Sequence, residues 1–535
     1  MSPQTTETDP EISRPWPRTD TMTSKLLRPD EDKNYLLVPG ILSIAALAIQ
    51  VATNTNYGMF TDELYYIACG NHLQFGYVDH PAIAPLLTRI SMLVGKSLVA
   101  LRFFPALAGS LTVLLTALIT YELGGSRFAA VLSSSTILFG MAFWIVFGMM
   151  GVNAFDVFFV TLSIYFFMKA IESDSINYWI AFGLSAGIGL NSKLTMLSYG
   201  FGLLVGLACT SKRRLFLSRN IWTGGLIATV MFVPFLVWQI ANDWPTLEFI
   251  RNVSSGKNLV VSPSMFLSQL ALGLNLFTFP LWSGGLVYLF VQRGSTTKRV
   301  LAIASAVFLL SLLVTHSKFY YALPGMPLLL SAGSTAFSEW TASAGRTWIR
   351  PAYVALLSIL AGIMLPFGIP ILSIETVGAY AQKLGGTESI RTERNEATGI
   401  PQYYADRFGC RELVQSIASV YQSLPDSDRQ ECGILGAHYS DAGAVDYFGE
   451  EFGLPEAVSR HNSYWLWGPK QYTGKIMIVV QSPGVNLHSQ FRTFELKSTY
   501  RYPYGEGENR VRRIFLCRDS KEPLPQLWSK LKTFD

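Results

Sequence analysis

Acidic residues and histidines are concentrated in one stretch of the chain, residues 57–85, which lies between two strongly apolar segments. Asp62 and Glu63 are adjacent, and Asp79 and His80 stand together before a proline. A carboxylate can take a proton from a hydroxyl group. Aromatic residues surround the acids, namely Tyr57, Phe60, Tyr65, Tyr66, Phe75 and Tyr77. The pattern predicts a loop that holds a sugar and performs acid-base chemistry, and the alternative is an ordinary solvated loop.

The composition is that of a polytopic membrane protein. Of the 535 residues, 50% are hydrophobic and only 15% are charged, which is not typical of a soluble globular chain. The formal net charge of +5 does not indicate nucleic-acid binding, because the basic residues form short clusters between apolar runs. Residues 1–34 are polar, and we predict a disordered cytoplasmic tail there rather than a cleavable signal.

Apolar runs of about 17 to 25 residues are long enough to cross a bilayer, and on this basis we predict eleven spans. They lie near residues 36–54, 99–121, 128–148, 153–171, 178–192, 194–210, 220–241, 264–291, 298–315, 319–337 and 351–373. Basic clusters precede the first span and follow the sixth, eighth and tenth, so they share one side, which is the cytoplasm. This orientation places the first loop (55–98) and the C-terminal region (375–535) on the extracytoplasmic side.

Three basic residues fall on the predicted outer side, against that rule. Arg89 and Lys96 belong to the run at residues 87–98, whose apolar residues have helical spacing and suit an interfacial helix along the membrane. Arg102 opens the second span. These charges indicate either a site for an anionic ligand, such as a lipid phosphate, or long side chains that snorkel to the interface.

Polar residues near the outer ends of later spans are also candidates for function. Asp156 lies about one turn inside a span, where a carboxylate is costly, and it serves either a function or a hydrogen bond between helices. Lys193 and Lys318 mark hairpins on the outer face, and Tyr321 follows the second of them. Each can contact a phosphate, the lysines as point charges and the tyrosine as a hydroxyl donor, although a lysine at an interface is common without such a role.

The order of these elements resembles a known family. It comprises the acidic pair, Gly76-Tyr77-Val78-Asp79-His80-Pro81, Arg102, Asn153 to Asp156, Ser192-Lys193 and Lys318-Phe319-Tyr320-Tyr321-Ala322-Leu323-Pro324. The chain is similar over about residues 35–340 to bacterial glycosyltransferases of the dolichyl-phosphate-mannose protein mannosyltransferase type. The aminoarabinose transferase that acts on lipid A belongs to the same superfamily.

The resemblance implies a GT-C fold in residues 35–374, a bacterial inner-membrane location and a sugar donor linked to polyprenyl phosphate. It implies that Asp62 is the general base, that Glu63 orients the loop or the acceptor, and that Asp156 is a second acid near the site. The donor phosphate would be held by Arg102, Lys193, Lys318 and Tyr321. Asp79 and His80 match positions that hold a divalent metal in some relatives, so metal binding is a further prediction, although no third ligand is evident.

After residue 374 the composition changes. Short runs with strand character alternate with turns marked by glycine and proline, which predicts a separate α/β domain at 375–535. Tyr464, Trp465 and Trp467 suit either stacking on sugar rings or the core of this domain. Cys410 and Cys432 are a candidate disulfide on an oxidising side of the membrane.

A transporter or lipid flippase is the alternative to an enzyme, because it would also have many spans and charged residues within them. Such proteins more often contain internal repeats with matching broken helices, and this sequence shows no such symmetry. The acids in the first outer loop and the outer C-terminal domain favour transfer of a lipid-linked sugar to a lipid, protein or cell-wall polymer.

Overall fold

The computed structural model describes residues 34–255, 261–292, 294–385, 399–504 and 510–535. Nearly all of the predicted N-terminal tail (1–34) lies outside these residues. Up to residue 368 the described chain is helical. Its helices are α1 (Leu37–Thr53), α2 (Thr61–Asn71), α3 (Ile83–Val94), α4 (Leu98–Glu122), α5 (Arg127–Phe139), α6 (Met141–Phe147), α7 (Val152–Ser173), α8 (Ile176–Leu190), α9 (Thr195–Ala208), α10 (Arg219–Ala241), α11 (Pro245–Ser255), α12 (Pro263–Gly273), α13 (Phe279–Val291), α14 (Thr296–Val314), α15 (Met326–Ser343) and α16 (Ile349–Gly368).

Five of these helices, α4, α7, α10, α14 and α16, are long and apolar enough to cross a membrane. Two bent pairs raise the number to as many as seven if each pair forms one span. The pairs are α5 with α6, bent by 67°, and α12 with residues Leu276–Val291, bent by 105°. Each of the eleven predicted spans coincides with a helix or a bent pair. Seven coincide with the five long helices and the two bent pairs, and the other four coincide with α1, α8, α9 and α15. The chain is a multi-pass membrane protein.

The sharper bend is made by Asn275. This residue has φ of 84°, in the left-handed region that asparagine tolerates better than most residues. Its side-chain oxygen accepts from the Phe277 N–H at 3.2 Å, and its amide group donates to the Leu357 carbonyl at 2.9 Å. The Asn275 side chain therefore satisfies one backbone N–H that the break frees and ties the break to α16, in keeping with the need to bond polar groups within a membrane protein.

Close helix contacts position two of the polar hairpins. A Cβ atom on Gly202 would lie 2.6 Å from the Ala304 carbonyl oxygen, and one on Gly206 would lie 2.5 Å from that of Val300. Small residues allow this backbone approach between α9 and α14. The start of α9, which follows Lys193, is thereby held near the end of α14, which precedes Lys318.

The predicted C-terminal α/β domain is present. Its strands are β1 (Cys432–Gly436), β2 (Ala457–Ser459), β3 (Ile476–Gln481), β4 (Phe491–Arg501) and β5 (Val511–Ser520), and its helices are α17 (Ile374–Lys383), α18 (Gln402–Ala405), α19 (Cys410–Gln422), α20 (Asp426–Glu431), α21 (Tyr439–Phe448), α22 (Ser463–Leu466) and α23 (Leu524–Leu531). The sheet order is β2-β1-β3-β5-β4. β1 runs parallel to β2 and β3, and β5 is antiparallel to β3 and β4.

Alternate residues of the central strands enter two different cores. Ile434 and Ile478 pack with residues of α19 and α21 in a core that continues into the membrane helices. Leu435 and Val479 pack on the other face with α23. Because side chains alternate along a strand, the sheet is covered on both faces, and the α21 side of the domain is joined to the membrane region.

The candidate disulfide does not form. Cys410 and Cys432 are both buried free thiols. Cys410 is the first residue of α19, whereas Cys432 lies close enough to interact electrostatically with Tyr421 near the other end of that helix. The helix positions of Cys410 and Tyr421 are roughly 16 Å apart at 1.5 Å per residue, so the two cysteines lie toward different ends of α19. Burial raises the pKa of both thiols to about 12.

Candidate active site

The acidic pair lies in the first turn of α2. The preceding residue, Phe60, is extended, and α2 runs from Thr61 to Asn71. Carboxylates are favourable at this position because the N-terminal turn of a helix carries partial positive charge. Glu63 turns back toward the chain, and its Oε2 atom accepts from the Phe60 N–H at 2.9 Å. Asp62 and Glu63 therefore start from the same helix end but face different surroundings.

Glu63 is completely buried and fully hydrogen-bonded. Its Oε1 atom accepts from Arg102 Nε at 2.8 Å and from the Met150 N–H at 2.9 Å, and Oε2 accepts from an Arg102 terminal nitrogen at 2.6 Å. Burial acts to raise the pKa of Glu63, but the Arg102 charge and these donors outweigh it, and the pKa lies below its ordinary value. These contacts fit the predicted role of orienting the loop or the acceptor, which stays a prediction, and they leave Glu63 less suited than Asp62 to accept a proton.

Arg102 is also buried, in the second turn of α4, and its donors are turned toward the protein. Besides Glu63, its guanidinium donates to the carbonyl oxygens of Asn54 and Gly58. It thus ties the end of α1 to the start of α2. The sequence predicted that Arg102 holds the donor phosphate, whereas the structure places it in a contact that supports the acidic loop.

Asp62 is half-buried and contacts the C-terminal domain. Its Oδ1 atom accepts a hydrogen bond of 2.9 Å from the Tyr439 hydroxyl, at the start of α21. The two residues are 377 positions apart in the sequence. No local pattern distinguishes Tyr439 from other tyrosines of this domain, so sequence reasoning missed it.

Asp79 and His80 lie beside the same helix. The Tyr65 hydroxyl is 2.8 Å from Asp79 Oδ1, and His80 is buried among aromatic rings. His80 Nδ1 lies 2.9 Å from the Pro81 carbonyl oxygen, to which it donates. Its Nε2 atom is 3.9 Å from Asp79 Oδ1 and has no hydrogen-bond partner among the described residues.

This pair alone fits a metal ion poorly. A neutral histidine nitrogen and a carboxylate are suitable ligands. Among the residues that the structure describes, however, no group of three or more histidine, cysteine, aspartate or glutamate side chains is placed to hold an ion. Metal binding at Asp79 and His80 stays a prediction.

A second polar cluster is buried near the start of α7. Asp156 Oδ2 accepts from the Thr195 hydroxyl at 2.6 Å and lies 3.9 Å from Lys193 Nζ. Lys193 Nζ also donates to Asn153 Oδ1 at 2.6 Å and lies 3.8 Å from the centre of the Tyr321 ring. The hairpins at Lys193 and Tyr321 therefore meet at Asp156.

Lys318 belongs to the same cluster, since it is close enough to interact electrostatically with both Lys193 and Tyr321. Burial lowers the pKa of Lys193 to about 8, although the Asp156 charge acts to raise it and the Lys318 charge lowers it further. Three of the four residues predicted to bind a phosphate are thus brought together, and Arg102 is the exception.

Tyr66 connects the two acidic regions. It lies on α2, where it interacts electrostatically with Asp62 and Asp79, and it hydrogen-bonds to the backbone of Val152 at the start of α7. Its ring would be 3.7 Å from a Cβ atom on Gly151. The acidic loop and the Asp156 cluster therefore form one candidate site around the N-terminal end of α7.

Residues 79–238 match the family model described as dolichyl-phosphate-mannose-protein mannosyltransferase. No curated protein sequence matches the chain. The solved structure of ArnT from Cupriavidus metallidurans bound to undecaprenyl phosphate has 14% identity and a TM-score of 0.56, covering 91% of this chain and 98% of that one. Its apo state gives 15% identity, a TM-score of 0.57 and coverage of 89% and 97%.

This chain has a GT-C glycosyltransferase fold. The predicted resemblance to GT-C transferases is confirmed by the family match and by the similarity to ArnT over almost the whole of both chains. At these identities, the similarity to ArnT establishes the fold.

Within this GT-C fold, Tyr464 is buried, and Trp465 and Trp467 are half-buried. The Tyr464 hydroxyl donates to Asp446 Oδ2 at 2.7 Å, and the Trp465 indole donates to the Trp528 carbonyl at 2.8 Å. Trp467 stacks on His72 with ring centres 4.2 Å apart. These contacts favour the predicted core role for Tyr464 and Trp465, whereas Trp467 contacts the membrane region, and stacking on sugar rings stays a prediction.

Proposed function

We propose that this protein is an inverting glycosyltransferase that moves a sugar from a polyprenyl-phosphate-linked donor to an acceptor on the outer face of the membrane. The observation that carries the proposal is the placement of Asp62. This acid is half-buried in a GT-C fold, while the neighbouring Glu63 is occupied by Arg102. Tyr66 links Asp62 to the start of α7, near which Lys193 Nζ lies 3.9 Å from Asp156 Oδ2, so an available acid and a cation for the phosphate belong to one candidate site.

Asp62 acts as the general base in this proposal. It takes the proton from the acceptor hydroxyl while the hydroxyl oxygen forms a bond to the anomeric carbon. The bond between that carbon and the phosphate oxygen breaks, and the electron pair leaves with the lipid phosphate. Attack from the side opposite the leaving group inverts the configuration at the anomeric carbon.

The leaving phosphate is held by Lys193, Lys318 and Tyr321. Cations and hydroxyl donors stabilise the negative charge that develops on the phosphate oxygen. Asp156 positions Lys193, with which it forms an ion pair at 3.9 Å. Arg102, which the sequence placed with this group, is assigned instead to positioning α2.

The donor class and the side of the membrane have separate support. The similar ArnT structure contains undecaprenyl phosphate, and the cationic cluster of this chain suits a phosphate of that kind. The distribution of basic residues between spans supports an orientation with the acidic loop and the C-terminal domain outside the cytoplasm. Sugar transfer therefore occurs at the outer face of a bacterial inner membrane in this proposal.

A deletion strain provides the first test. Mass spectrometry of its cell envelope should reveal a glycoconjugate that has lost one sugar, and the wild-type gene should restore that mass. Purified protein is then assayed with undecaprenyl-phosphate-linked pentoses and hexoses and with envelope from the deletion strain as acceptor. We expect Asp62→Asn to lower the transfer rate by about 10²- to 10⁴-fold, because it retains the shape and removes the base.

Asp243→Asn is the matched control. Asp243 is an exposed acid between α10 and α11, and its left-handed backbone also suits asparagine. This variant should transfer at the wild-type rate. Asp62→Asn should still bind undecaprenyl phosphate, and near-normal transfer by it would remove the proposed mechanism.

A further inference from the structure

The C-terminal domain reaches the candidate site through α21. A Cβ atom on Gly443 would lie 3.2 Å from the backbone carbon and oxygen of Leu64, so α21 and α2 are in close backbone contact. α21 begins at Tyr439, and Asp62 lies in the first turn of α2. The helix contact therefore sets the distance between this tyrosine and the proposed base.

Tyr439 is held on several sides. Its ring stacks with Tyr65 at 4.4 Å and with His461 at 4.9 Å between centres. Its backbone N–H donates to His461 Nδ1 at 3.3 Å, and His461 Nε2 lies 2.5 Å from Asp535 Oδ1. A side chain fixed in this way can hold another residue in a defined orientation, because its own rotamer is set by packing and hydrogen bonds.

We propose that Tyr439 is a positioning residue for Asp62, so that the C-terminal domain is a required part of the active site. The inference rests on the proposed function. A hydroxyl that donates to a carboxylate favours the ionised form, which is the form that accepts a proton. The same bond fixes the orientation of the base, and a base works only when it lies within hydrogen-bond reach of the acceptor.

The C-terminal domain is also connected to Asp79, through Tyr65. Ser463 Oγ lies 2.8 Å from the Tyr65 hydroxyl and accepts from the Val78 N–H at 3.1 Å. Tyr65 in turn lies 2.8 Å from Asp79. Two independent contacts thus join the acidic loop to the C-terminal domain. By contrast, Asp156 and Lys193 bond to residues of the membrane helices and their hairpins, so loss of the Tyr439 hydroxyl should affect turnover rather than donor binding.

Tyr439→Phe tests this inference, because it keeps the stacked ring and removes only the hydroxyl. With undecaprenyl-phosphate-linked sugar as donor, we expect kcat to fall about 10-fold, the effect of losing one hydrogen bond to a charged group. KM for the donor should not change. Tyr464→Phe is the matched control, since that tyrosine is also buried in the same domain and donates to Asp446 instead. It should keep the wild-type kcat.

Rates are expressed per molecule able to bind undecaprenyl phosphate, so a partly unfolded preparation does not imitate a loss of kcat. The double variant Asp62→Asn with Tyr439→Phe should be no slower than Asp62→Asn alone, because Tyr439 acts through Asp62. A further 10-fold loss in that background would overturn the inference, as would a wild-type kcat for Tyr439→Phe. Near-normal transfer by Asp62→Asn would instead contradict the proposed function itself.

Discussion

The Asp62 region and the Asp156 region each centre on an acid, but the protein surrounds them differently. Asp62 is half-buried at a helix start and receives its hydrogen bond from another domain. Asp156 is buried among membrane helices, where it contacts Thr195 and the ammonium group of Lys193. A carboxylate near solvent can exchange a proton with an incoming hydroxyl, whereas one beside a buried cation balances charge. In the proposed function, this difference favours proton transfer in the first region and phosphate contact in the second.

The first region depends on a buried ion pair, and breaking that pair should have the largest effect on stability. Arg102→Met leaves the Glu63 carboxylate buried without its counterion. Removal of one partner of a buried pair typically costs about 3 to 5 kcal/mol. We expect a loss of this size in unfolding free energy, measured by SDS titration in detergent micelles, and a lower yield of folded protein.

Lys96→Met is the control for this variant, because it breaks an exposed pair with Glu450, whose side chains are 74% and 84% exposed. Exposed pairs contribute little, so its unfolding curve should match the wild type. A stable Arg102→Met protein that no longer binds undecaprenyl phosphate would contradict the structural role and support the phosphate contact that the sequence predicted.

The prediction of Arg102 shows where sequence reasoning succeeded and where it did not. The spans were predictable because bilayer thickness sets the length of an apolar run. The family resemblance grouped Lys193 and Tyr321 around a donor phosphate, but no pattern predicted that the two would meet at Asp156. The partner of Arg102 could not be predicted, because an arginine near an outer helix end suits a buried carboxylate as well as a phosphate.

Tertiary contacts across domains were beyond prediction for a different reason. The bond from Tyr439 to Asp62 depends on how α21 packs on α2, which no pattern within either segment encodes. The free thiols of Cys410 and Cys432 are a similar case, since their separation depends on the direction of α19. Sequence patterns predicted the elements and several of the site residues, and packing determined which of those residues meet.

The second region should control donor binding. Lys193→Met removes the cation proposed to contact the phosphate. A hydrogen bond to a charged group contributes enough that binding of undecaprenyl phosphate should weaken by about 10- to 100-fold. Isothermal titration in detergent gives the dissociation constant. Asp62→Asn, in the first region, should bind this lipid as the wild type does.

Lys298→Met is the matched control. Lys298 Nζ lies 4.9 Å from the centre of the Tyr288 ring, a geometry like that of Lys193 with Tyr321, but it belongs to α14 at the predicted cytoplasmic side. Its replacement should not change the affinity for undecaprenyl phosphate. If both variants weaken binding of undecaprenyl phosphate equally, the loss comes from general disturbance of the helices. The assignment of donor binding to the second region would then be wrong.

The smallest expected effect is a pH dependence of donor binding. Burial lowers the pKa of Lys193 to about 8, and a lysine is charged below its pKa and neutral above it. Binding of an anion that requires the charged form should therefore weaken as the pH rises through about 8, several-fold by pH 9. Undecaprenyl phosphate is the probe, with affinity measured from pH 7 to pH 9.5.

Lys193→Arg sharpens this prediction, because a guanidinium keeps its charge throughout that range. Its affinity for undecaprenyl phosphate should be nearly constant with pH, even if the longer side chain binds less tightly at pH 7. The Asp62 region should not contribute to the change of affinity with pH, so the affinity of Asp62→Asn should depend on pH as that of the wild type does. If the affinity of Lys193→Arg for undecaprenyl phosphate falls with rising pH as that of the wild type does, another group controls the charge of the phosphate site. Lys193 is then not the cation that the lipid phosphate contacts.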